Sequence, residues 1–372
     1  MKKYILLAFI IFIAQRINSG NIWYVNGAND TQTNVWVEIA GVDTKFDTVN
    51  AGSNDNNGTS PITPKLTISA AFAMASNNDI IVVFRHLDDS DSYTVMPDGR
   101  KNNKKIYLYS NFAKISDNSE LGNMDVYGIH YQKNMNNSAN YVLWSYTNTS
   151  ISSPRFRNNN YIEEINNSYN NYKFSIGSTN AGNLTIKNNF IKIKSAVAYY
   201  YFFAIQASTN YSRNISNNIF INLSTIKPSQ SFICGGWGGT ASSFNFNSNI
   251  FYNICDSIPF TTHPNELGEN GDRSNNSFYK TLFNPTTLLT RWDGDTMVDP
   301  QLLVVNGDTL PFNNIYPDSF GFDDTGLSFW ATYYPYDDEV KAYIINSLKY
   351  KSNDFRARVL ARINKVHGVD TT

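Results

Sequence analysis

Charged residues and histidines are scarce in this sequence. Asp, Glu, Lys and Arg make up 16% of its 372 residues, the formal net charge is −1, and there are four histidines. A chain with this balance has no strong overall field to attract nucleic acid or an acidic polymer. His86, His130 and His367 stand apart from any second ligand at a useful spacing, so we assign no metal site to them. Nucleic acid is therefore not an expected partner.

Asparagine and aromatic residues are abundant instead. The chain contains 52 Asn, 24 Tyr and 24 Phe residues. Such a polar composition is by itself typical of disorder, but a disordered chain lacks the 41% hydrophobic content found here. The composition therefore predicts a folded chain with a long core.

A short phrase of asparagine followed by an aromatic residue recurs along the middle of the chain. The aromatic residues lie 29, 30, 31 and 27 positions apart, at Tyr161, Phe190, Phe220, Phe251 and Phe278. A period of roughly 20–50 residues is typical of a solenoid, in which each unit buries its apolar face against its neighbours. We predict that these five rings form one column that points into the core.

Short apolar runs at each repeat indicate β-strands rather than helices. Ile219, Phe220 and Ile221 form one run, and similar runs begin at Phe190 and Ile250. Each run is rich in β-branched and aromatic residues and is bounded by Asn, Ser or Gly. Asn also suits turns, and its amide can form a ladder along strands about 4.8 Å apart. The pattern predicts an all-β fold, a parallel β-helix with about three strands per coil.

The N-terminus has the pattern of an export signal. Lys2 and Lys3 precede an apolar run over residues 4–14, and Ser19 and Gly20 offer small residues for cleavage. This run is too short to span a bilayer, so we predict a signal peptide over residues 1–20 and no transmembrane span after its removal. An uncleaved anchor is the alternative. The expected location is secreted, periplasmic or cell surface.

Three segments near the start of the mature chain carry a family resemblance. Residues 22–27 (IWYVNG) are followed, after an insertion, by residues 52–61 (GSNDNNGTSP) and 64–68 (PKLTI). This order resembles the opening of secreted right-handed β-helix proteins of the pectate-lyase-like superfamily, in which a strand, a turn and a short helix close the first coil. The resemblance implies a capping helix over residues 67–75. The insertion, residues 28–51, is predicted to form an extra hairpin.

The resemblance extends to the other end of the predicted solenoid. Residues 298–302 (VDPQL) and 317–326 (PDSFGFDDTG) are similar to closing phrases of the same proteins. The superfamily includes lyases, hydrolases, epimerases, adhesins and phage tailspikes, so the fold resemblance transfers no function. The catalytic signatures of pectate lyases and polygalacturonases are not visible in this sequence.

The last part of the chain changes to a helical pattern. Two apolar stripes at helical spacing are Val340, Ile344 and Leu348, and then Phe355, Val359, Ile363 and Val366. The second stripe lies in a segment that is rich in basic residues. We expect the pair to pack over the last coil or to join subunits into an oligomer, and binding to an anionic surface is the alternative. The predicted organisation is residues 1–20 signal peptide, 21–79 N-terminal strand, insertion and capping helix, 80–327 β-helix, and 328–372 helical tail.

The two cysteines do not align within the repeat. Cys234 lies 14 residues after Phe220, whereas Cys255 lies 4 after Phe251. This register places them on different sides of successive coils, and we favour two separate buried thiols. A disulfide remains the alternative in an exported protein.

A polar segment after Cys255 contains the strongest candidates for catalysis. His263, Glu266, Glu269, Asp272 and Arg273 lie close together in sequence. Paired carboxylates can act as acid and base in glycoside hydrolysis, or they can hold Ca²⁺ while Arg removes a proton in a polysaccharide lyase. The alternative is a solvated external loop, because the spacing matches no known metal loop. We expect no cofactor unless the protein is a lyase with Ca²⁺.

Aromatic residues provide the candidates for ligand binding. Trp237 is flanked by glycines, and an aromatic face can stack on a sugar ring. Tyr199 and Tyr201 belong to an aromatic run whose alternation predicts that some rings are buried and others line an outer groove. Packing of Trp237 on its own coil is the competing interpretation.

Two classes of function remain. The first is an exported β-helix that binds, and in a stronger form of the hypothesis processes, an extended polysaccharide on its outer surface. The second is a non-catalytic surface adhesin, spike or structural spacer. The absence of a catalytic signature favours binding, and whether the chain is an enzyme stays open.

Replacement of Trp237 by Ala tests the predicted sugar platform. We expect glycan binding to weaken by roughly 1–2 kcal/mol, because an aromatic stacking surface is lost, while thermal stability barely changes. Calorimetric titration with a glycan panel measures the change. Unchanged affinity removes Trp237 from the site.

Overall fold

The computed structural model describes most of the N-terminal region and many short segments of the repeats. The described residues are 20–40, 42–88, 91–93, 104–111, 113–117, 124–134, 143–145, 150–152, 161–165, 172–176, 184–187, 189–193, 199–205, 212–216, 218–222, 224–235, 243–247, 249–256, 271, 276–279, 281, 303–305 and 308–310. The predicted signal peptide, the closing phrases and the helical tail therefore lie outside the described residues, apart from Gly20. No helix among the described residues is long and apolar enough to cross a membrane.

The described part contains one short helix and 23 strands. The N-terminal elements are β1 Ile22–Val25, β2 Gln32–Ile39, β3 Val42–Val49, α1 Ile68–Met74 and β4 Ile80–Val83. The next strands are β5 Ile106–Ser110, β6 Lys114–Asp117, β7 Met124–Tyr127, β8 His130–Asn134, β9 Leu143–Ser145, β10 Ser150–Ser152, β11 Tyr161–Ile165 and β12 Tyr172–Ile176. The remaining strands are β13 Leu184–Lys187, β14 Phe190–Ile193, β15 Tyr199–Ile205, β16 Ser212–Ser216, β17 Ile219–Asn222, β18 Pro228–Gly235, β19 Ser243–Asn247, β20 Ile250–Tyr252, β21 Ser277–Tyr279, β22 Leu303–Val305 and β23 Asp308–Leu310.

Most strands belong to three parallel sheets. Sheet one has the order β1-β4-β5-β7-β10-β13-β16-β19, sheet two has β6-β8-β11-β14-β17-β20-β21, and sheet three has β9-β12-β15-β18. Consecutive strands go to different sheets: β13, β14 and β15 are followed by β16, β17 and β18, each pairing with its counterpart one repeat earlier. The strand-rich, parallel character predicted from the repeat is confirmed, and the arrangement is compatible with a β-helix-like fold.

The core consists of rows of apolar side chains from equivalent strands. In sheet one, Ile81, Leu108 and Val126 are in register and fully buried. The row continues through Ile186, Ile215 and Phe246. Sheet three contributes Phe202, Phe203 and Phe232, whose rings lie 4.8 to 5.6 Å apart.

The predicted column of five aromatic residues is only partly correct. Phe220, Phe251 and Phe278 are paired in register, are fully buried and stack at centroid distances of 4.8 and 5.1 Å. Tyr161 and Phe190 pair with each other, but Phe190 pairs with Ile219 and lies one position away from the column. A shift of one residue moves a side chain to the other face of a strand.

The reason for this shift is that the repeats align by asparagine rather than by ring. The backbone N–H and the Nδ2 of Asn189 both donate to Oδ1 of Asn218, at 3.1 and 3.0 Å. Asn218 makes the same two bonds to Asn249, and Asn249 to Asn276. Each Nδ2 of the last three residues also donates to a strand of sheet one, for example Asn218 to the carbonyl of Ile186 at 2.8 Å. These four side chains are fully buried. They form the asparagine ladder at the corner between sheets one and two.

The insertion at the N-terminus is the predicted extra hairpin. β2 and β3 pair in antiparallel fashion, with Gln32 opposite Val49 and Ile39 opposite Val42. The hairpin packs Val35, Val37 and Phe46 against the outer side of sheet one, where it meets Ile80, Val82 and Phe84. All four residues of β4 are buried because its other face, with Ile81 and Val83, belongs to the main core.

Helix α1 is the predicted capping helix. The hydroxyl of Thr67 accepts a hydrogen bond from the Ala70 N–H at 3.2 Å and so caps the helix N-terminus. Ile68, Ala71 and Ala75 are buried against the first strands of sheet one. The helix therefore lies over apolar residues at the N-terminal end of the core.

Asp79 connects the end of helix α1 to strand β1 through hydrogen bonds. Its carboxylate accepts hydrogen bonds from Asn21 N, Trp23 Nε1 and Ser76 N, each at 2.8 Å. Burial of the carboxyl raises its pKa, but the bonds from Ser76, Trp23 and Asn21 outweigh burial, so the pKa lies below its ordinary value. The charged form is therefore stabilised by folding.

Removal of the Asn218 side chain tests the ladder. Asn218→Ala removes the Oδ1 that accepts two hydrogen bonds from buried Asn189 and the Nδ2 that donates to Ile186 and Asn249, and we expect the unfolding free energy to fall by roughly 2–6 kcal/mol. The control is Asn214→Ala, whose half-buried side chain accepts a hydrogen bond from the Ser216 hydroxyl, with an expected loss of about 1 kcal/mol or less. Denaturant unfolding measures both values, and equal losses contradict a role for the ladder.

Replacement of Asp79 by Asn tests the hydrogen bonds of this carboxylate through the pH dependence of stability. Because the folded pKa is depressed, the stabilisation is present above the unfolded pKa of about 3.9 and is lost as pH falls through the folded pKa. We expect Asp79→Asn to destabilise the protein near neutral pH, and its difference from wild type to shrink below about pH 4. The control is Asp55→Asn, at an exposed loop position. If denaturant unfolding shows a free-energy difference between wild type and Asp79→Asn that does not depend on pH, a stabilising role of the charged carboxylate is contradicted.

Candidate binding face on sheet one

The outer side of sheet one changes from apolar and aromatic to polar along the strand order. Its first strands are covered by the hairpin, and Tyr107 and Tyr127 pack against the edge of that covered cluster. Two outward rows follow from the strand register. The first runs Ile22, Ile80, Tyr107, Asp125, Ser150, Thr185, Asn214, Asn245. The second runs Tyr24, Val82, Tyr109, Tyr127, and resumes at Ser152, Lys187, Ser216, Asn247. We call the part from β5 to β19 the sheet-one face.

Three tyrosines form the aromatic end of the sheet-one face. The rings of Tyr109 and Tyr127 stack with centroids 4.7 Å apart and planes at 9°. Tyr107 and Tyr127 are half-buried, whereas Tyr109 is buried. Their placement follows from alternation in β5 and β7, because Ile106, Leu108 and the residues in register with them point into the core.

An ion pair lies among these rings. Lys105 Nζ donates to Asp125 Oδ1 at 2.5 Å, and the same ammonium lies 5.4 Å from the centre of the Tyr107 ring. The two charged side chains are 21% and 12% exposed, so water screens the pair only in part. Burial raises the pKa of Tyr127, and Asp125 raises it further through its charge and a hydrogen bond. Burial and Asp125 likewise raise the pKa of Tyr107. Both phenols therefore remain protonated at neutral pH.

Hydroxyl and amide side chains form the polar end of the sheet-one face. Thr185, Asn214 and Asn245 are in register and half-buried, and Lys187 is paired with buried Ser216 on the next strand. The Ser216 hydroxyl donates to Asn214 Oδ1 at 2.8 Å, which orients the amide. This end offers hydrogen-bond donors and acceptors rather than charge, apart from Lys187.

A second polar cluster lies at the root of the hairpin. His86 Nδ1 is 2.6 Å from Asp30 Oδ2, and the His86 ring stacks on Tyr93 at 4.3 Å. Tyr93 donates its hydroxyl proton to the Phe84 carbonyl at 2.7 Å. These bonds tie the start of β2 to the end of β4, across the insertion. The sequence alone predicts an isolated His86, because Asp30 is 56 residues away along the chain.

Most of the site residues expected from the sequence lie outside the described residues. This applies to Trp237, His263, Glu266, Glu269, Asp272 and Arg273. Their neighbours Asp256 and Gly271 are described and exposed, and Asp256 accepts a hydrogen bond from Lys227 at 2.7 Å. Catalysis by this loop therefore stays a prediction.

The aromatic run on β15 is divided between core and surface. Tyr199 is fully buried, Tyr200 is 42% exposed, and Tyr201 is half-buried with its hydroxyl bonded to Gln230. A ring buried like Tyr199 presents no face to a ligand unless the strand moves. The surface contribution of this run comes from Tyr200 and Tyr201.

Cys255 is a buried free thiol. Burial raises its pKa well above the ordinary value, Asp256 adds to the rise, and Lys227 opposes it. The thiol is therefore protonated and unreactive at neutral pH. Within the described residues, no group of three or more His, Cys, Asp or Glu side chains is placed to hold a metal ion.

The Lys105–Asp125 pair and the tyrosines around it are not among the candidate residues that the sequence predicts. The alternation of apolar and tyrosine residues in Ile106–Ser110 was the available signal, since it places Tyr107 and Tyr109 on one side of a strand. The partner strand was not identifiable, because the repeat phrase does not extend to this part of the chain.

Comparison with known proteins adds no relative to this description. The chain matches no family model, no curated protein and no solved structure. The functional interpretation therefore depends on the chemistry of the described residues, and foremost on the sheet-one face.

Proposed function

We propose that the protein is an exported right-handed parallel β-helix of the pectate-lyase-like type that binds an extended polysaccharide along the sheet-one face. The observation that carries this proposal is the pair of outward rows, which pass from tyrosines near the hairpin to hydroxyl and amide side chains. The export pattern of residues 1–20 supports a location in which such polymers are met.

The spacing of the rows suits a polymer that runs across the strands. Neighbouring parallel strands lie about 4.8 Å apart, which is close to the length of one pyranose unit in an extended glycan. Successive sugars would then meet equivalent positions, such as Thr185, Asn214 and Asn245. Amide and hydroxyl groups can both donate to and accept from sugar hydroxyls.

The aromatic end would supply stacking. Half-buried Tyr107 and Tyr127 combine an apolar ring with a hydroxyl, and the C–H face of a pyranose fits the negative face of such a ring. Protonated phenols also donate hydrogen bonds, and the raised pKa values of both tyrosines favour that state. Lys105 and Asp125 largely neutralise each other, so this end favours uncharged sugar surfaces.

Binding fits this face better than cleavage. Glycoside hydrolysis usually requires two carboxyl groups at a defined separation, whereas Asp125 is paired with Lys105. A lyase of this fold type needs a base and a means of neutralising the uronate carboxylate, and the protonated tyrosines do not provide the base. A catalytic role for the loop containing Glu266, Glu269 and Asp272 remains a separate hypothesis.

A non-catalytic adhesin, spike or spacer is the second candidate function. The observation in its favour is the buried asparagine ladder, which joins successive repeats into a continuous stack. In that role the stack provides length and the outer rows have no specific ligand.

Replacement of Tyr107 by Ala tests the sheet-one face. We expect affinity for the recognised polysaccharide to fall by about 0.5–1.5 kcal/mol, because a stacking surface is lost. The matched control is Tyr200→Ala, which removes an exposed tyrosine from sheet three and should leave affinity unchanged. Calorimetric titration with a panel of neutral and uronic polysaccharides supplies the affinities, and thermal unfolding checks both folds.

The same panel distinguishes the functional classes. Release of reducing ends or of unsaturated uronates by the wild type would show that the protein is an enzyme and that cleavage was wrongly set aside. No measurable affinity for any member would favour the spacer. Equal losses in the Tyr107 and Tyr200 variants would place the ligand elsewhere.

A further inference from the structure

The outer side of sheet two changes from polar to apolar toward its last strands. Phe220 and Phe251 point into the core, so Ile221, Ile250 and Tyr252 occupy the opposite face by strand alternation. One row of this face runs Lys114, His130, Tyr161, Phe190, Ile219, Ile250. The other runs Ser116, Gln132, Glu163, Lys192, Ile221, Tyr252, Tyr279. The apolar stretch is thus confined to the C-terminal end of the sheet.

The apolar stretch is covered. Ile221 and Ile250 are both 0% exposed, although they lie on the face opposite the core. Neither residue belongs to the two core clusters formed within the described part of the chain. A flat sheet face that is open to water leaves its side chains partly exposed, so another layer must lie over β17 and β20.

We propose that this layer is the C-terminal segment 340–366 of the same chain, docked through its apolar stripes. The chain leaves sheet two at Tyr279, the last position of the apolar row, and residues 280–372 follow. The segment carries the stripes at Val340, Ile344 and Leu348 and at Phe355, Val359 and Ile363, which have helical spacing and require an apolar partner.

The dimensions of the covered strands agree with a helix as the occupant. A helix is about 10 Å wide and therefore covers about two strands, as β17 and β20 require.

Photo-crosslinking of the full-length protein tests the docking. Tyr252 is replaced by benzoylphenylalanine, a conservative change at a half-buried position beside Ile221. After irradiation, mass spectrometry should find the crosslinked peptide within residues 340–366, on a species of monomer mass. Tyr279, which continues the same row, provides a second position if the first variant folds poorly.

The controls separate this docking from other covers. Benzoylphenylalanine at Tyr107, on the sheet-one face, should give no crosslink to residues 340–366. Ile363→Asp combined with the Tyr252 probe should abolish the crosslink, because a charge enters the apolar contact. Crosslinks to residues 282–339, crosslinks only to a second chain, or no crosslink from either probe position would overturn the proposal.

Discussion

The buried asparagine ladder fixes the register on which the rest of the repeat region depends. Each rung uses the backbone N–H and Nδ2 of one asparagine and Oδ1 of the next, so a shifted repeat would leave buried donors unpaired. The rungs are 29, 31 and 27 residues apart, yet the bonds are nearly identical. Differences in repeat length are therefore absorbed away from this corner.

A fixed corner gives each outward position a fixed neighbour. Since the ladder joins the ends of sheet-one strands to the starts of sheet-two strands, both sheets inherit its register. The outer sides of the two sheets can then carry different chemistry without changing the core. On sheet one, Thr185, Asn214 and Asn245 lie on the outer face. On sheet two, Ile221 and Ile250 lie on the outer face of the strands that directly follow those of Asn214 and Asn245 along the chain.

The sequence was sufficient for features that repeat or are local. Asn189, Asn218, Asn249 and Asn276 predicted both the period and an amide ladder, and the hairpin and capping helix were expected from the resemblance of the N-terminal segments. The aromatic column was misaligned at Tyr161 and Phe190, because rings fill space with little preference for one position whereas amides require paired atoms. Contacts across unequal intervals, such as Lys105 with Asp125 and Asp30 with His86, require the coil register and were not predictable.

The Lys105–Asp125 pair shows how this register limits chemistry on the sheet-one face. The pair joins the residue before β5 to the second residue of β7, and parallel pairing of those strands holds the two groups together. The buried Asp125 carboxylate already has the Lys105 ammonium and the Tyr127 hydroxyl as partners. Protonating it as a general acid would mean breaking those contacts. The register thus places the ion pair beside the Tyr107 ring and engages the Asp125 carboxylate in structural contacts.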